Sequence, residues 1–315
     1  MVELNKERKK VHKMSLIKDG QGLVSVVIPI YNGEKYIGET IRSVLDQTHT
    51  TLEVLCIIDG TSDQSMTIME ALDDDRIKIF EHRNRGATYT RNRGLSLASG
   101  EYIIFLDQDD MIMPAFIEAA IQEMIRTGST GVAVNGHVID SHGTILRRLY
   151  RVNKPKLTHL SLLKGNQMYT ASQVLLKRQA VADMGGFDIL ADQADDWDMW
   201  IQQAREGKLI FLDRDLLRYR LHDANQHWDH DKMLRSELHV VERKLGGERN
   251  PEAIKSYSYL RYAQRTADWK AWTQALKLNP SLLLQPRTYW IALHMAWVRG
   301  KSNVRTRRGT GQSQK

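Results

Sequence analysis

Between residues 24 and 126 the chain alternates short apolar, β-branched runs with longer segments whose apolar residues recur at helical spacing, and this alternation narrows the fold more than any other feature. Residues 24–30 read Val-Ser-Val-Val-Ile-Pro-Ile and stop at Tyr31-Asn32-Gly33, a strand followed by a turn. Residues 34–47 then place Tyr36, Ile37, Ile41, Val44 and Leu45 on one helical face. The pattern recurs as strands at 52–58, 76–80 and 101–106 and helices at 63–72, 87–98 and 114–126. Strands alternating with helices of this length are βαβ units, which predict an α/β fold with a mostly parallel sheet.

After Gly128 the rhythm changes. Residues 131–140 and 144–152 predict a hairpin around Ser141-His142-Gly143. A short helix at 158–164, a strand at 173–176 and a helix at 178–184, stopped by Gly185-Gly186, follow. Residues 192–205 predict a helix with acids in its first turn, where the helix dipole favours them, and 216–221 a last strand. From about Asp229 the pattern is helical throughout, at 232–245, 251–266, 269–278 and 282–298. The stretch from Tyr259 to Pro280 resembles one tetratricopeptide helix pair. A single such pair cannot bury its own apolar face, so a helical appendage packed on the sheet domain is expected.

Charge and cysteine usage exclude several classes. Residues 281–315 hold seven Lys and Arg and no acid, which accounts for the whole net charge of +7 and leaves residues 1–280 balanced. The basicity therefore belongs to a tail and not to a nucleic-acid-binding face. The single Cys56 sits in an apolar strand, so neither a disulfide framework nor a thiolate metal cluster is available, and a reducing compartment is implied. No apolar run has the length of a spanning helix. Residues 1–20 are polar and lysine-rich, unlike a secretory leader. A cytoplasmic location, or a peripheral one at the inner face of a membrane, is the expectation.

Two acidic knots carry the chemistry. Asp107-Gln108-Asp109-Asp110 ends the apolar run 101–106, and Asp195-Asp196-Trp197-Asp198 opens a predicted helix. In open α/β sheets ligands bind at the carboxyl ends of strands, where the first knot falls. A single Asp there would serve as a helix N-cap, with Asp110 the natural candidate, but three within four residues repel one another. One cluster to hold a metal and another to act as base is an economical layout for a phosphate-bearing substrate. Asp107 and Asp109 lie two apart, so on an extended strand end both face one site.

The motif series then resembles the family 2 glycosyltransferases of the nucleotide-diphospho-sugar, or GT-A, fold. Its pieces are Val24 to Gly33, Ile41-Arg-Ser-Val-Leu-Asp-Gln-Thr48, Ile58-Asp-Gly-Thr-Ser-Asp63, Asn84-Arg-Gly-Ala87 with Arg91-Asn-Arg-Gly94, Phe105-Leu-Asp-Gln-Asp-Asp110, Gly185-Gly-Phe-Asp188 and Asp196-Trp-Asp-Met-Trp200, in the family's order over about 23–225. The resemblance implies that Pro29 and Tyr31 contact the nucleotide and that Asp59 bonds its base. The family often has two acids at that last place; here Ile58 occupies the first. It further implies that Arg91 meets the donor phosphates or the nucleotide, that Asp109 ligates a Mn²⁺ or Mg²⁺ ion, and that Asp107 touches ribose or the metal's water. His222, in Tyr219-Arg-Leu-His222, would approach the metal or pyrophosphate. Asp196 would be the base of an inverting transfer, with Asp195 the alternative one residue away. Trp197 beside it would pack or floor an acceptor. His227 and His230 read as surface histidines.

The expected organisation is a polar segment at 1–22, a GT-A domain at 23–228, helices at 229–300 and a basic disordered tail at 301–315. The expected function is divalent-metal-dependent transfer of a sugar from a nucleotide-diphospho-sugar, UDP-linked above all, to a saccharide or lipid-linked acceptor. A metal-dependent nucleotidyltransferase and a non-catalytic nucleotide-sugar-binding module are the alternatives. Residues 281–315, with Trp290, Leu293 and Trp297 at helical spacing between Arg287 and Arg299, suit a helix lying on an anionic membrane surface. The competing expectation is that this helix simply packs on the domain.

Overall fold

The computed structural model describes residues 22–152, 154–205, 208–222, 229–246 and 250–309, with backbone alone for 299–309. The expectations for residues 1–21, His227 and 310–315 lie outside the described residues.

The first half is built as its pattern predicts. Strands β1 (Val24–Ile30), β2 (Leu52–Asp59), β3 (Ile77–His82) and β4 (Tyr102–Phe105) alternate with helices α1 (Ile37–Leu45), α2 (Ser65–Glu70) and α3 (Ala87–Leu97). These strands are all parallel, in the order β3-β2-β1-β4. Both faces of β1 are covered, which is why its residues are apolar without alternation. Val26 and Ile28 point into one core with Ile37, Ile41 and Phe116. Val27 points into the other with Phe105, Trp197 and Trp200. The period-two geometry of a strand divides them.

The second half extends the sheet. It comprises β5 (Met111–Ile112), α4 (Phe116–Thr127), β6 (Gly131–Ile139), β7 (Ile145–Arg148), α5 (His159–Leu163), β8 (Val174–Lys177), α6 (Arg178–Asp183), α7 (Asp195–Arg205) and β9 (Leu209–Arg220). β8 runs antiparallel to β4 and β6, while β6 and β9 pair in parallel. The hairpin forms, although β7 ends at Arg148.

β9 is twice the expected length. Asp213-Arg214-Asp215 interrupt its apolar pattern, and that is where the β6–β9 register shifts around Asn135. The two acids there pair with Arg148 and Lys154.

Among the described residues four α-helices follow, α8 (His230–Lys244), α9 (Pro251–Thr266), α10 (Trp269–Leu278) and α11 (Pro286–Gly309). α8 joins the second core through Val240 and Val241, as does Ile254 of α9. Leu260, Ala263, Ala275, Ile291 and Met295 make a small core of their own. Glu237 on α8 receives Arg261 and Arg265 from α9, which fastens the appendage. Among the described residues no helix is long and apolar enough to cross a membrane.

Candidate functional site

Parallel register brings the strand ends level. Ile30 sits opposite Ile58, and Val27 opposite Phe105, so Tyr31, Asp59 and Asp107 emerge along one edge. They open on a cavity of about 510 Å³ lined by Pro29, Tyr31, Asp59, Arg91, Asp107, Asp109 and Asp196 among others. His222 reaches the same place through Asp109, with its Nε2 2.7 Å from Asp109 Oδ2. Residues far apart in the chain therefore meet at one site, although the chain positions alone could not say so.

Each acid of the first knot has its own main partner, with the Thr170 hydroxyl shared between Asp107 and Asp110, which is how their repulsion is tolerated. Asp107 Oδ1 accepts from Arg91 Nη2 at 3.0 Å, and Oδ2 lies 2.7 Å from Thr170 Oγ1. Asp109 meets His222. Asp110 is fully buried and accepts from Ser172 Oγ at 2.7 Å and from the Arg220 backbone N–H at 3.0 Å. Asp110 is thus not a helix cap. The next element is the strand β5, α4 begins only at Phe116, and Asp110 instead ties the β4 end to β9 and to the turn at 171–173. Burial pushes Asp110 well above the usual carboxylate range, and the charges of Asp109 and Asp107 add to this. Asp109 is raised for the same reasons, with His222 partly offsetting the shift.

Asp59 is buried and accepts from the backbone N–H groups of Arg85, at 2.6 Å, and Gly86, at 2.9 Å. It pins the loop that leads into α3. His82 Nδ1 also lies 3.3 Å from Oδ1, so Oδ2 is the oxygen that keeps a lone pair for a ligand. Tyr31 is half exposed, and its backbone is clamped by Gln108, whose Oε1 accepts from Tyr31 N and whose Nε2 donates to Tyr31 O. The Gln between the Asp residues thus joins β1 to the acidic knot.

Arg91 bridges the two knots. Its Nη1 donates to Asp195 Oδ2 at 2.7 Å while Nη2 holds Asp107. Burial works against its charge, and Asp195, Asp107 and Asp196 overcome that penalty, raising its pKa. Its buried Nε has no hydrogen-bond partner among the described residues.

Asp196 stands differently from its neighbour. Asn166 Nδ2 lies 3.4 Å from both its oxygens, and the Trp197 N–H is 2.6 Å from Oδ1. Burial first, then the charge of Asp195, pushes its carboxyl to about 7 despite the opposing pull of Arg91. Trp197 does not face an acceptor space. It is 2 % exposed, donates from Nε1 to Leu162 O and is covered by Arg261. Gln193, Thr170 and Asn166 carry no motif of their own in the sequence, although they lie in the segments 154–173 and 185–195, which are expected to line the acceptor side. Gln193 lines the cavity with φ 71° and a buried Oε1 that has no partner among the described residues, a strained arrangement for a residue other than glycine. Its only signal in the chain is its place between the acidic knot and Gly185-Gly186.

The donor set suits a hard divalent cation in part. Among the described residues no three His, Cys, Asp or Glu converge as a ligand set. Asp109 with His222, and Asp107 beside them, present oxygen and nitrogen donors in a crowded acidic pocket whose raised carboxyl pKa a cation would relieve. One or two carboxylates completed by substrate phosphates is a common way to hold such ions.

Comparison with known proteins places this geometry. The family model described as Glycosyl transferase family 2 matches residues 25–185. An "Uncharacterized glycosyltransferase" of Rickettsia felis is 29% identical over 208 residues, which is 64% of this chain and 34% of that protein. The chain thus spans about a third of that relative's length. The crystal structure of S. aureus TarS 1-349 in complex with UDP-GlcNAc superposes with a TM-score of 0.62 at 18% identity, covering 88% of this chain and 87% of that one. Mannosyltransferase PcManGT from Pyrobaculum calidifontis, in complex with GDP-Man and Mn²⁺, gives 0.53 at 17% identity over 87% and 84%. At such identities the likeness speaks for the fold, which is GT-A. With strand-end acids, ordered motifs and a family model covering half its length in agreement, the chain belongs to glycosyl transferase family 2.

Proposed function

We propose that this protein transfers a sugar from a nucleoside-diphosphate donor, UDP-linked by preference, to an acceptor hydroxyl with inversion at the anomeric carbon. The observation that carries the reading is the single cavity lined by Pro29, Tyr31, Asp59, Arg91, Asp107, Asp109 and Asp196. The nucleotide would lie against Pro29 and Tyr31, with its base toward Asp59. Arg91, a cation in the cavity lining, would face the phosphates. Asp109 and His222 would hold Mn²⁺ or Mg²⁺, with Asp107 toward the ribose or the metal's water. A bound divalent cation neutralises charge on the departing diphosphate. UDP-GlcNAc in TarS and GDP-Man with Mn²⁺ in PcManGT support this donor class.

Asp196 takes the base role. Its carboxylate removes the proton as the acceptor oxygen bonds to the anomeric carbon and the bond from that carbon to the phosphate oxygen breaks, releasing the nucleoside diphosphate. A carboxyl near 7 is matched to that task at neutral pH. Asp195 is the weaker candidate, since Arg91 occupies it.

The transferase domain is residues 23–228, with 229–300 as its helical support, acting on a saccharide or lipid-linked acceptor at the cytoplasmic face of a membrane. α11 supports the peripheral placement: it packs through Ile291 and Met295 while leaving Trp290, Leu293 and Trp297 more than half exposed. The packing of this helix is against the small core of the appendage, with Leu260, Ala263 and Ala275. A panel of UDP- and GDP-sugars, scored for binding and then for transfer with and without Mn²⁺, tests the reading. Binding of none of them overturns it.

A further inference from the structure

Beside the donor cavity lies a second one of about 930 Å³, lined by Arg147, Arg148, Arg151, Lys154 and Arg287. Tyr169 lines both. So large a concentration of cations is expensive to assemble unless something anionic answers it. Within the protein the answer is partial. Asp213 and Asp215 pair with Arg148 and Lys154. Among the described residues, Arg147, Arg151 and Arg287 have no acidic partner, and all three are exposed. Arg147 is held in place by stacking on Tyr169, 5.3 Å from its ring centroid.

The groove also leads to the chemistry. Asn166 lines it, and Asn166 is the side chain whose amide lies 3.4 Å from both oxygens of Asp196. A chain lying along the groove would therefore end at Asn166 and Tyr169, where an acceptor hydroxyl meets the base.

We propose that this groove is the acceptor subsite and that it takes a glycan carrying phosphodiester groups. The inference rests on the transferase reading, and it names the acceptor class that the donor cavity leaves open. Arginine is suited to this ligand. Its planar fork gives paired, charge-assisted hydrogen bonds to phosphate oxygens, and it is less strongly hydrated than lysine. A phosphodiester stays anionic at every physiological pH and exposes oxygens around the chain, so cations from three separate segments can engage successive groups. Arg147 comes from β7, Arg151 from the segment after it and Arg287 from α11, which would draw the helical appendage into substrate binding.

The test uses the full-length protein and four soluble probes: UDP, an oligo(glycerol phosphate), an oligogalacturonate of similar length and maltohexaose. The wild type should bind oligo(glycerol phosphate) more tightly than either other oligomer, with affinity falling as NaCl rises. Arg151→Glu combined with Arg287→Glu should weaken that binding by about tenfold or more, the loss expected from charged hydrogen bonds, while UDP affinity is unchanged. Equal affinity of the variant and the wild type for the phosphate oligomer overturns the proposal, as does a preference for galacturonate or maltohexaose. Capture by phosphatidylglycerol vesicles through these arginines, without binding of the soluble oligomer, also overturns it in favour of a lipid headgroup. If UDP fails to bind the wild type, the donor reading falls, and the ranking of the oligomers still decides this one.

Discussion

Arg91 donates to Asp195 at 2.7 Å across 104 residues of chain, and so places a positive charge beside the acid that precedes Asp196. The two charges act on Asp196 with opposite sign: Asp195 raises its carboxyl and Arg91 lowers it. Asp195→Asn should therefore move the acid limb of the kcat/KM profile to lower pH, and Arg91→Gln should move it to higher pH, each by about one unit. Shifts in the same direction would show that Asp196 does not set the limb.

The wild-type limb itself follows from the sign of that titration. A base works only when deprotonated, so kcat/KM should rise with pH through about 7 and level off above it. Asp196→Asn should remove the limb and lower transfer by about 10² to 10⁴, with UDP binding retained. If Asp195→Asn is the crippled variant and Asp196→Asn is active, the base is the neighbouring residue.

Metal dependence should reside in Asp109. Asp109→Ala should abolish transfer and weaken donor binding chiefly when Mn²⁺ or Mg²⁺ is present. Calorimetric titration of Mn²⁺ in the presence of UDP gives a readout independent of turnover. Full wild-type activity in EDTA would remove the cation from the mechanism.

One prediction concerns the scaffold alone. A Cβ at Gly94 on α3 would stand 2.2 Å from Val27 Cγ1 of β1, closer than packed atoms approach. Gly94→Ala should cost about 1–3 kcal/mol, read as a lower urea midpoint, because the buried strand has nowhere to move. An unchanged midpoint would mean that α3 shifts freely on the sheet.

Membrane attachment should depend on the exposed face of α11. Full-length protein should float with anionic liposomes and less with neutral ones, and Trp290→Ser with Leu293→Ser and Trp297→Ser should abolish the difference. These side chains are exposed while Ile291 and Met295 hold the helix to its core, so folding should survive. Equal flotation of variant and wild type would assign the stripe no role at the membrane.

How much was legible in the chain differs between elements and site. β1, β2 and the helix α1 follow from local pattern, because a strand buried on both faces must be apolar throughout and an amphipathic helix must repeat near 3.6 residues. Those constraints act on neighbours in the chain. β9 was half missed for a complementary reason. Asp213 and Asp215 break its pattern, and they are tolerated because Arg148 and Lys154, distant in the chain, come to pair with them.

The motif order likewise carried the family, and with it a set of acids at strand ends. What no local pattern could decide is which group answers each charge. Asp107, Asp109 and Asp110 look alike in the sequence. Tertiary structure separates them into an acid held by Arg91, one held by His222 and one buried against Ser172. The same holds for Asp195 and Asp196, adjacent in the chain but divided by a guanidinium that reaches only one of them with a hydrogen bond. Ionisation depends on desolvation and on charges within a few ångströms, and those distances exist only once the chain has folded.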